Sequence, residues 1–182
     1  MPVFERQKHI TVELVGDRLV AVVDMADNFH HLRLRVAFSA LELEIVEASA
    51  EMLRVPHPEC ERALPAIERA VGLKVQAGFN RAVAHAVGGR TGCFHFTTLV
   101  GEAALAAVQA RYAAADQLLG ARVRALPRPE RVRLWVQMNP AMLDSCLTWS
   151  CESPMLQEAF PEGPPCRRHP PAPARQEENA TP

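Results

Sequence analysis

The first fifty residues alternate in period two, and this pattern constrains the fold more tightly than anything else in the chain. Ile10, Val12 and Leu14 fall on one face, with Glu13 on the other. A Gly16-Asp17 turn follows, and Leu19 to Met25 runs apolar. Leu32, Leu34, Val36 and Phe38 then alternate with Arg33 and Arg35, and Leu41, Leu43 and Ile45 alternate with Glu42 and Glu44. Successive side chains of a strand point to opposite faces, so each run reads as a half-buried strand. Connections this short favour an antiparallel meander. Arg33 and Arg35 are expected to pair with Glu42 and Glu44 across the solvent face.

The period changes at "VPHPEC". Pro56 and Pro58 exclude a regular strand, and Pro58 suits an early helical position. Cys60 is therefore expected in the first turn of a helix that runs towards Val71 and stops at Gly72. A short helix is expected over Asn80 to Val87, ended by Gly88-Gly89. The alanine content and the spacing of Leu99, Ala103, Ala106 and Ala110 predict a long helix from about Phe94 to Leu119. Residues 121–137 carry five arginines and two prolines and read as an exposed connection. The run "LWVQM" that closes this stretch predicts a strand or short helix. The fold class is α+β, an antiparallel β-meander followed by helices packed on one face. Residues 1–160 form a single domain in this reading. Residues 161–182, with seven prolines and no apolar periodicity, form a disordered tail.

Composition narrows the function. Of 182 residues, 48% are hydrophobic and 23% charged, a globular balance, and the net charge of −1 offers no general attraction to nucleic acid or anionic membranes. The arginines at 122, 124, 128, 131 and 133 have no interleaved aromatics to stack on bases, so they read as a solvated face. No apolar run approaches the ~20 residues that span a bilayer. The opening "MPVFERQKHI" is charged and lacks the apolar core of a secretory signal. Five cysteines, widely spaced, then read as reduced thiols in a cytoplasmic protein, with disulfides as the lesser reading.

Among those thiols, "GGRTGCFHF" (residues 88–96) stands out: glycines, then Cys93 and His95, at the head of the long helix. A helix N-terminus stabilises a thiolate. Cys60 has a similar position, three residues after His57. Thiolate and imidazole are the usual ligands of zinc and several transition metals. The candidate ligand set is Cys60, Cys93, His95 and Cys146, with His31 from the turn before the third strand. Zinc is the default ion for such a set, and an iron–sulfur cluster is the other cofactor considered. Against this stand a buried structural cysteine at 93 with His95 facing water, and a surface position for His31.

The succession "FHHLRLRV", "PHPEC", "GLKVQAGF", "GGRTGCFHF" and "LDSC" resembles the bacterial domain-of-unknown-function family numbered twenty-eight eighty-nine over most of residues 8–160. The family's patterns are Pro-Tyr-x-x-Cys, Gly-Cys-Thr-His-Leu and Asp-x-Cys-His. This chain keeps Cys60, Gly92, Cys93, His95, Asp144 and Cys146, and departs at His57, Phe94, Phe96 and Leu147. The resemblance groups Cys60, Cys93, His95 and Cys146 into one constellation and implies no activity. The order of strands and cysteines is also distantly similar to NifU-type iron–sulfur scaffold proteins. In that likeness the first scaffold ligand falls near His30 and His31, and the usual Cys-Gly-Asp is missing.

Three functional readings follow. The first is a metal- or cluster-binding accessory protein, with a protein partner to serve. The second is a thiol enzyme with Cys93 as nucleophile and His95 as base. The third is a non-catalytic binding protein with structural cysteines.

Overall fold

Strand β1 (Arg6–Val15) turns at Gly16 into β2 (Arg18–Asp27), and the chain returns through β3 (His31–Ser39) and β4 (Ile45–Arg54). The four strands pair antiparallel in the order β1-β2-β3-β4, the expected meander. The computed structural model describes residues 1–120 and 122–166. The chain gathers into two compact units, Met1–Leu126 and a second beginning at Pro127. Most of the expected tail, residues 167–182, lies outside the described residues.

Parity along the strands decides what each side chain meets. Leu19, Ala21, Val23 and Met25 of β2 and Leu32, Leu34, Val36 and Phe38 of β3 are all at most 1% exposed. They share the inner face with Ile10, Val12 and Leu14 of β1, which are partly buried against the same core. Helix α1 (Phe79–Val87) and the long helix α2 (Phe94–Ala113) cover that face. Phe96, Leu99, Val100, Ala103, Ala104 and Ala107 of α2 are buried in the shared core, the alanines allowing close approach of helix to sheet. Together the two layers form one hydrophobic core.

Three expectations are corrected in detail. The fourth strand starts at Ile45, where the alternating Leu41–Ile45 run ends. Residues 39–44 instead form a tight turn, with Leu43 N–H on the Ser39 carbonyl, Ser39 N–H on the Glu44 carbonyl, and Leu43 at φ 53°. Arg33 and Arg35 therefore face Glu51 and Glu47 of β4 rather than Glu42 and Glu44, and Glu42 pairs with Lys74. The segment after Pro58 is helical from Pro58 to Ala70 but wound as a 3-10 helix. Pro65 within it has no N–H to give to an α-helical ladder. The long helix breaks at Ala114, after which α3 (Ala115–Leu119) ends at Gly120 in the left-handed region.

In the second unit "LWVQM" belongs to α4 (Arg128–Met138), and α5 (Pro154–Ala159) follows after short 3-10 turns. Val132, Val136, Leu156 and Ala159 form its small core, flanked by Leu143, Trp149, Met155 and Phe160. The Ser153 hydroxyl accepts a hydrogen bond from Leu156 N–H at 3.3 Å and caps α5.

Two glycines explain how the chain gets from α1 to α2. A Cβ on Gly92 would lie 2.0 Å from the Val87 carbonyl oxygen, and one on Gly88 would lie 2.6 Å from the Ala84 carbonyl oxygen. The end of α1 and the start of α2 are packed backbone to backbone, which only glycine allows. Gly92→Ala must push these backbones apart and is expected to cost about 2–3 kcal/mol, in the range of core overpacking. Urea denaturation reads this directly, and a loss under about 0.5 kcal/mol, the scatter of an ordinary surface change, would overturn the close-approach account.

Candidate functional site

The inner-face register of the sheet does not stop at its apolar residues. In β2 it runs Leu19, Ala21, Val23, Met25 and then Asp27; in β1, read backwards, it runs Ile10, Lys8 and Arg6. Arg6 and Asp27 are direct cross-strand partners. The same end of the sheet carries His30, one residue before β3. Four polar side chains, Lys8, Arg6, Asp27 and His30, thus continue a hydrophobic face just where α2 begins.

Asp27 is the anchor. Its carboxylate is fully buried, and all its lone pairs are directed at donors. Oδ2 accepts from Arg6 Nη2 at 2.6 Å and Nε at 3.0 Å. Oδ1 accepts from Phe29 N–H at 2.8 Å and His30 N–H at 2.7 Å, and lies 3.2 Å from His30 Nδ1. Burial pushes the carboxyl pKa up, but the donated hydrogen bonds from Phe29, Arg6 and His30 outweigh it and hold the group well below the usual carboxylate range. Asp27 is therefore ionised at neutral pH. Arg54 adds a hydrogen bond to its main-chain carbonyl.

From the other layer comes α2. Cys93 is its N-cap residue, extended at φ −133° and ψ 128°, and its N–H donates to the Val87 carbonyl at 2.9 Å. His95, two residues on, lies over the sheet end. Its ring centroid is 4.3 Å from that of His30, its Nε2 is 3.5 Å from Arg6 Nη2, and its Nδ1 is 3.9 Å from Cys93 Sγ. Burial, then the neighbouring His30 and Arg6, lower the His95 pKa from its ordinary 6.5. The ring is neutral at pH 7. One helical face further along, Glu102 pairs with Lys8 at 2.5 Å and fixes α2 along β1.

Ligand-type atoms of Asp27, His30 and His95 all lie within 4.8 Å of one another, one of two such groups of three among the described residues. Exposed aromatic rings border it: Phe94 stands edge-on to His95, and Phe4 stacks on Phe29 above Arg6.

Of the residues expected from sequence, His95 belongs to this cluster, and Cys93 stands beside it, its sulfur against His95 Nδ1 but outside the converging three. His31 has the opposite parity from His30 and binds Asp24 at 3.0 Å, beside Arg33, on the outer face of the sheet. Cys60 is half-buried in the 3-10 helix, its N–H bonded to the His57 carbonyl, and Cys146 is exposed in the second unit. Neither belongs to a converging group of three among the described residues. Asp27 and Arg6 escaped the sequence reading, and His30 entered it only through the NifU likeness, yet their signal is in the strand parity: polar residues placed in register with a buried face.

A meander roofed on one face by helices, with an aspartate–histidine cluster where the head of the long helix meets the sheet end, defines an α+β protein with a buried-anchor polar site. The chain belongs to the family described as Protein of unknown function (DUF2889), whose model matches residues 9–109. That span takes in Asp27, His30, Cys60, Cys93 and His95 and stops before Asp144 and Cys146. No curated protein and no solved structure matches the chain, so the likeness to NifU-type scaffolds finds no support. No helix among the described residues is long and apolar enough to cross a membrane.

Two outcomes follow from these electrostatics. Asp27→Ala leaves Arg6 without its anion and two backbone N–H groups without acceptors. The cost is expected at about 2–3 kcal/mol, below the figure for a fully buried pair because Arg6 keeps a third of its side chain in water. Chemical denaturation measures it, and a loss within about 0.5 kcal/mol would refute the anchoring role. His95 binds its proton more weakly folded than unfolded, so stability is lost as pH falls from 6.5 through the lowered folded value. In His95→Gln the drop in stability between pH 7.5 and pH 5 is expected to shrink; an unchanged drop would deny His95 that contribution.

Proposed function

We propose that this protein binds a transition-metal ion, zinc by default, at the head of α2, and acts as a metal-binding accessory protein. The observation that carries this reading is the convergence of His30 and His95 over the Asp27 carboxylate, with Cys93 Sγ 3.9 Å from His95 Nδ1. Asp27 is too fully hydrogen-bonded to be an ion's main ligand. It acts behind His30 instead: a proton on His30 Nδ1, held by Asp27 Oδ1, leaves Nε2 with its lone pair free, the carboxylate–histidine arrangement common behind metal ligands. His95, neutral at pH 7, offers a ring nitrogen without a proton to displace, and Cys93 supplies a sulfur ligand at a helix N-terminus. Arg6 is neutralised by Asp27, and its 3.5 Å approach to His95 Nε2 is at the outer limit of a hydrogen bond, so it opposes an ion only slightly. Cys93, whose sulfur lies outside the converging group, would turn onto the ion to join His95 and His30 as a third protein ligand, which leaves a position for an exchangeable ligand or an acceptor partner. Of the remaining expected ligands, Cys60 is kept as a candidate to complete the set.

A second reading has its own observation. In the metal-free tautomer with Nε2 accepting from Arg6, His95 points Nδ1–H at the Cys93 sulfur, the arrangement of a thiolate–imidazole pair in a thiol enzyme.

The test is zinc titration of reduced, metal-free, full-length protein by calorimetry. One equivalent is expected to disappear in Cys93→Ser and in His95→Ala, and affinity should fall with pH as protons compete for thiolate and imidazole. Stoichiometry and affinity unchanged in both variants would refute the metal reading. Iodoacetamide alkylation of Cys93 in the metal-free protein then decides for the thiol reading if its rate persists at mildly acidic pH and collapses in His95→Ala.

A further inference from the structure

The second unit holds the other convergence of ligand-type side chains, remote from the proposed function in sequence and independent of it. Asp144, Cys151 and Cys166 bring donor atoms within 4.8 Å of one another. Asp144 sits in the left-handed region at φ 58°, its N–H on the Trp149 carbonyl at 2.9 Å. Its carboxylate turns onto Cys151: Oδ1 accepts from Cys151 N–H at 2.9 Å, and Oδ2 lies 3.2 Å from Cys151 Sγ. Cys166, 15 residues on, is joined to Cys151 as a disulfide with the Cα atoms 6.1 Å apart, inside the usual span. The expectation of a reduced thiol in a disordered tail therefore gives way at Cys166 to an ordered, half-buried and bonded residue.

One contact suits a thiol better than a permanent disulfide. The Asp144 Oδ2 lies at contact distance, 3.2 Å, from the Cys151 sulfur, which has no hydrogen to donate in the disulfide and gains one in the thiol. A thiol would satisfy Oδ2 by donating to it. A divalent ion would satisfy it better, because two thiolates and a carboxylate form a donor set that zinc accepts. Such a cross-link suits the unit, whose core among the described residues has four buried apolar side chains, since small cores are commonly stapled by a disulfide or a metal.

We propose that Asp144, Cys151 and Cys166 form a redox-gated site for a zinc-class divalent ion. In the reduced state the two thiolates and the Asp144 carboxylate hold the ion. A small-molecule or protein disulfide oxidises the pair. The sulfurs of Cys151 and Cys166 form one S–S bond and give up two electrons, the oxidant's S–S bond breaks, and two protons from water convert its halves to two thiols. The ion, left with one carboxylate, is released. Disulfide and ion are alternative staples of the same fold, and the carboxylate is present in both because its other oxygen is tied to the Cys151 backbone.

Cobalt(II) titration of the full-length chain in the Cys93→Ser background tests this, the absorption of a cobalt–thiolate bond being the readout. Protein reduced with a phosphine is expected to bind one equivalent more than protein oxidised with glutathione disulfide. That equivalent should vanish in Cys151→Ser and Cys166→Ser and weaken about tenfold or more in Asp144→Asn. Equal binding by the reduced and oxidised forms, or binding retained in both cysteine variants, would overturn the proposal. A measurement free of variants guards against misfolding. In the reduced natural chain, cobalt should shield Cys151 and Cys166 from N-ethylmaleimide, mapped by mass spectrometry, and alkylation of both at the metal-free rate would equally overturn it.

Discussion

A buried carboxylate organises one end of this protein. Asp27 stands where the apolar face of β2 would place another hydrophobic side chain, and an unpaired charge there would cost several kcal/mol. It is stable because five donor groups converge on it: two nitrogens of Arg6, the N–H groups of Phe29 and His30, and the His30 ring. Each bond also fixes a piece of backbone. Arg6 registers β1, the two N–H bonds shape the turn from β2 to β3, and the ring bond holds His30 beneath α2. Arg54, on the Asp27 carbonyl, brings in β4. All four strands are therefore tied to one residue at the end nearest the cluster.

The helical layer reaches that residue by an unrelated device. Backbone contact between the end of α1 and the residues before α2 leaves no room for a Cβ at Gly88 or Gly92. Cys93 consequently emerges at the helix head, with His95 one step inside. The glycines fix where the helix starts, and the buried core of Phe96, Leu99 and Val100 fixes its rotation. With both set, His95 has one environment: half-buried, beside His30 and Arg6, and neutral. The sheet supplies charge and hydrogen bonds, while the helix supplies the thiol and a ring nitrogen.

Much of the fold was legible because hydrophobic periodicity is a local property. The meander, the short helix to Val87 and the long helix from Phe94 all carry their period in contiguous residues. The errors have local causes too. Leu41, Leu43 and Ile45 alternate as a strand would, but the turn closed by Ser39 and Glu44 captures the first two. The choice left open at "LWVQM", strand or short helix, falls to helix in α4, which packs with α5, because the run is too short for periodicity to separate the two. The site was half legible. Cys93 and His95 were visible as reactive types at a helix start, whereas Asp27 and Arg6 look like ordinary charged residues until strand parity is continued past the apolar run.

By itself, then, the sequence determined the period of the first three strands and of the long helix, the face those strands bury and the two side chains that lead α2, because these depend on neighbours within a few residues. Only the tertiary structure decided that Arg6, Asp27, His30, Cys93 and His95 share a site, and that Cys151 meets Cys166 beside Asp144. Those meetings join residues far apart in the chain, brought together by sheet register and by the docking of α2 in the first unit, and by a loop closed around α5 in the second. Neither register nor loop closure is written in any one stretch of sequence: each is set by the burial and hydrogen bonding of the folded chain as a whole.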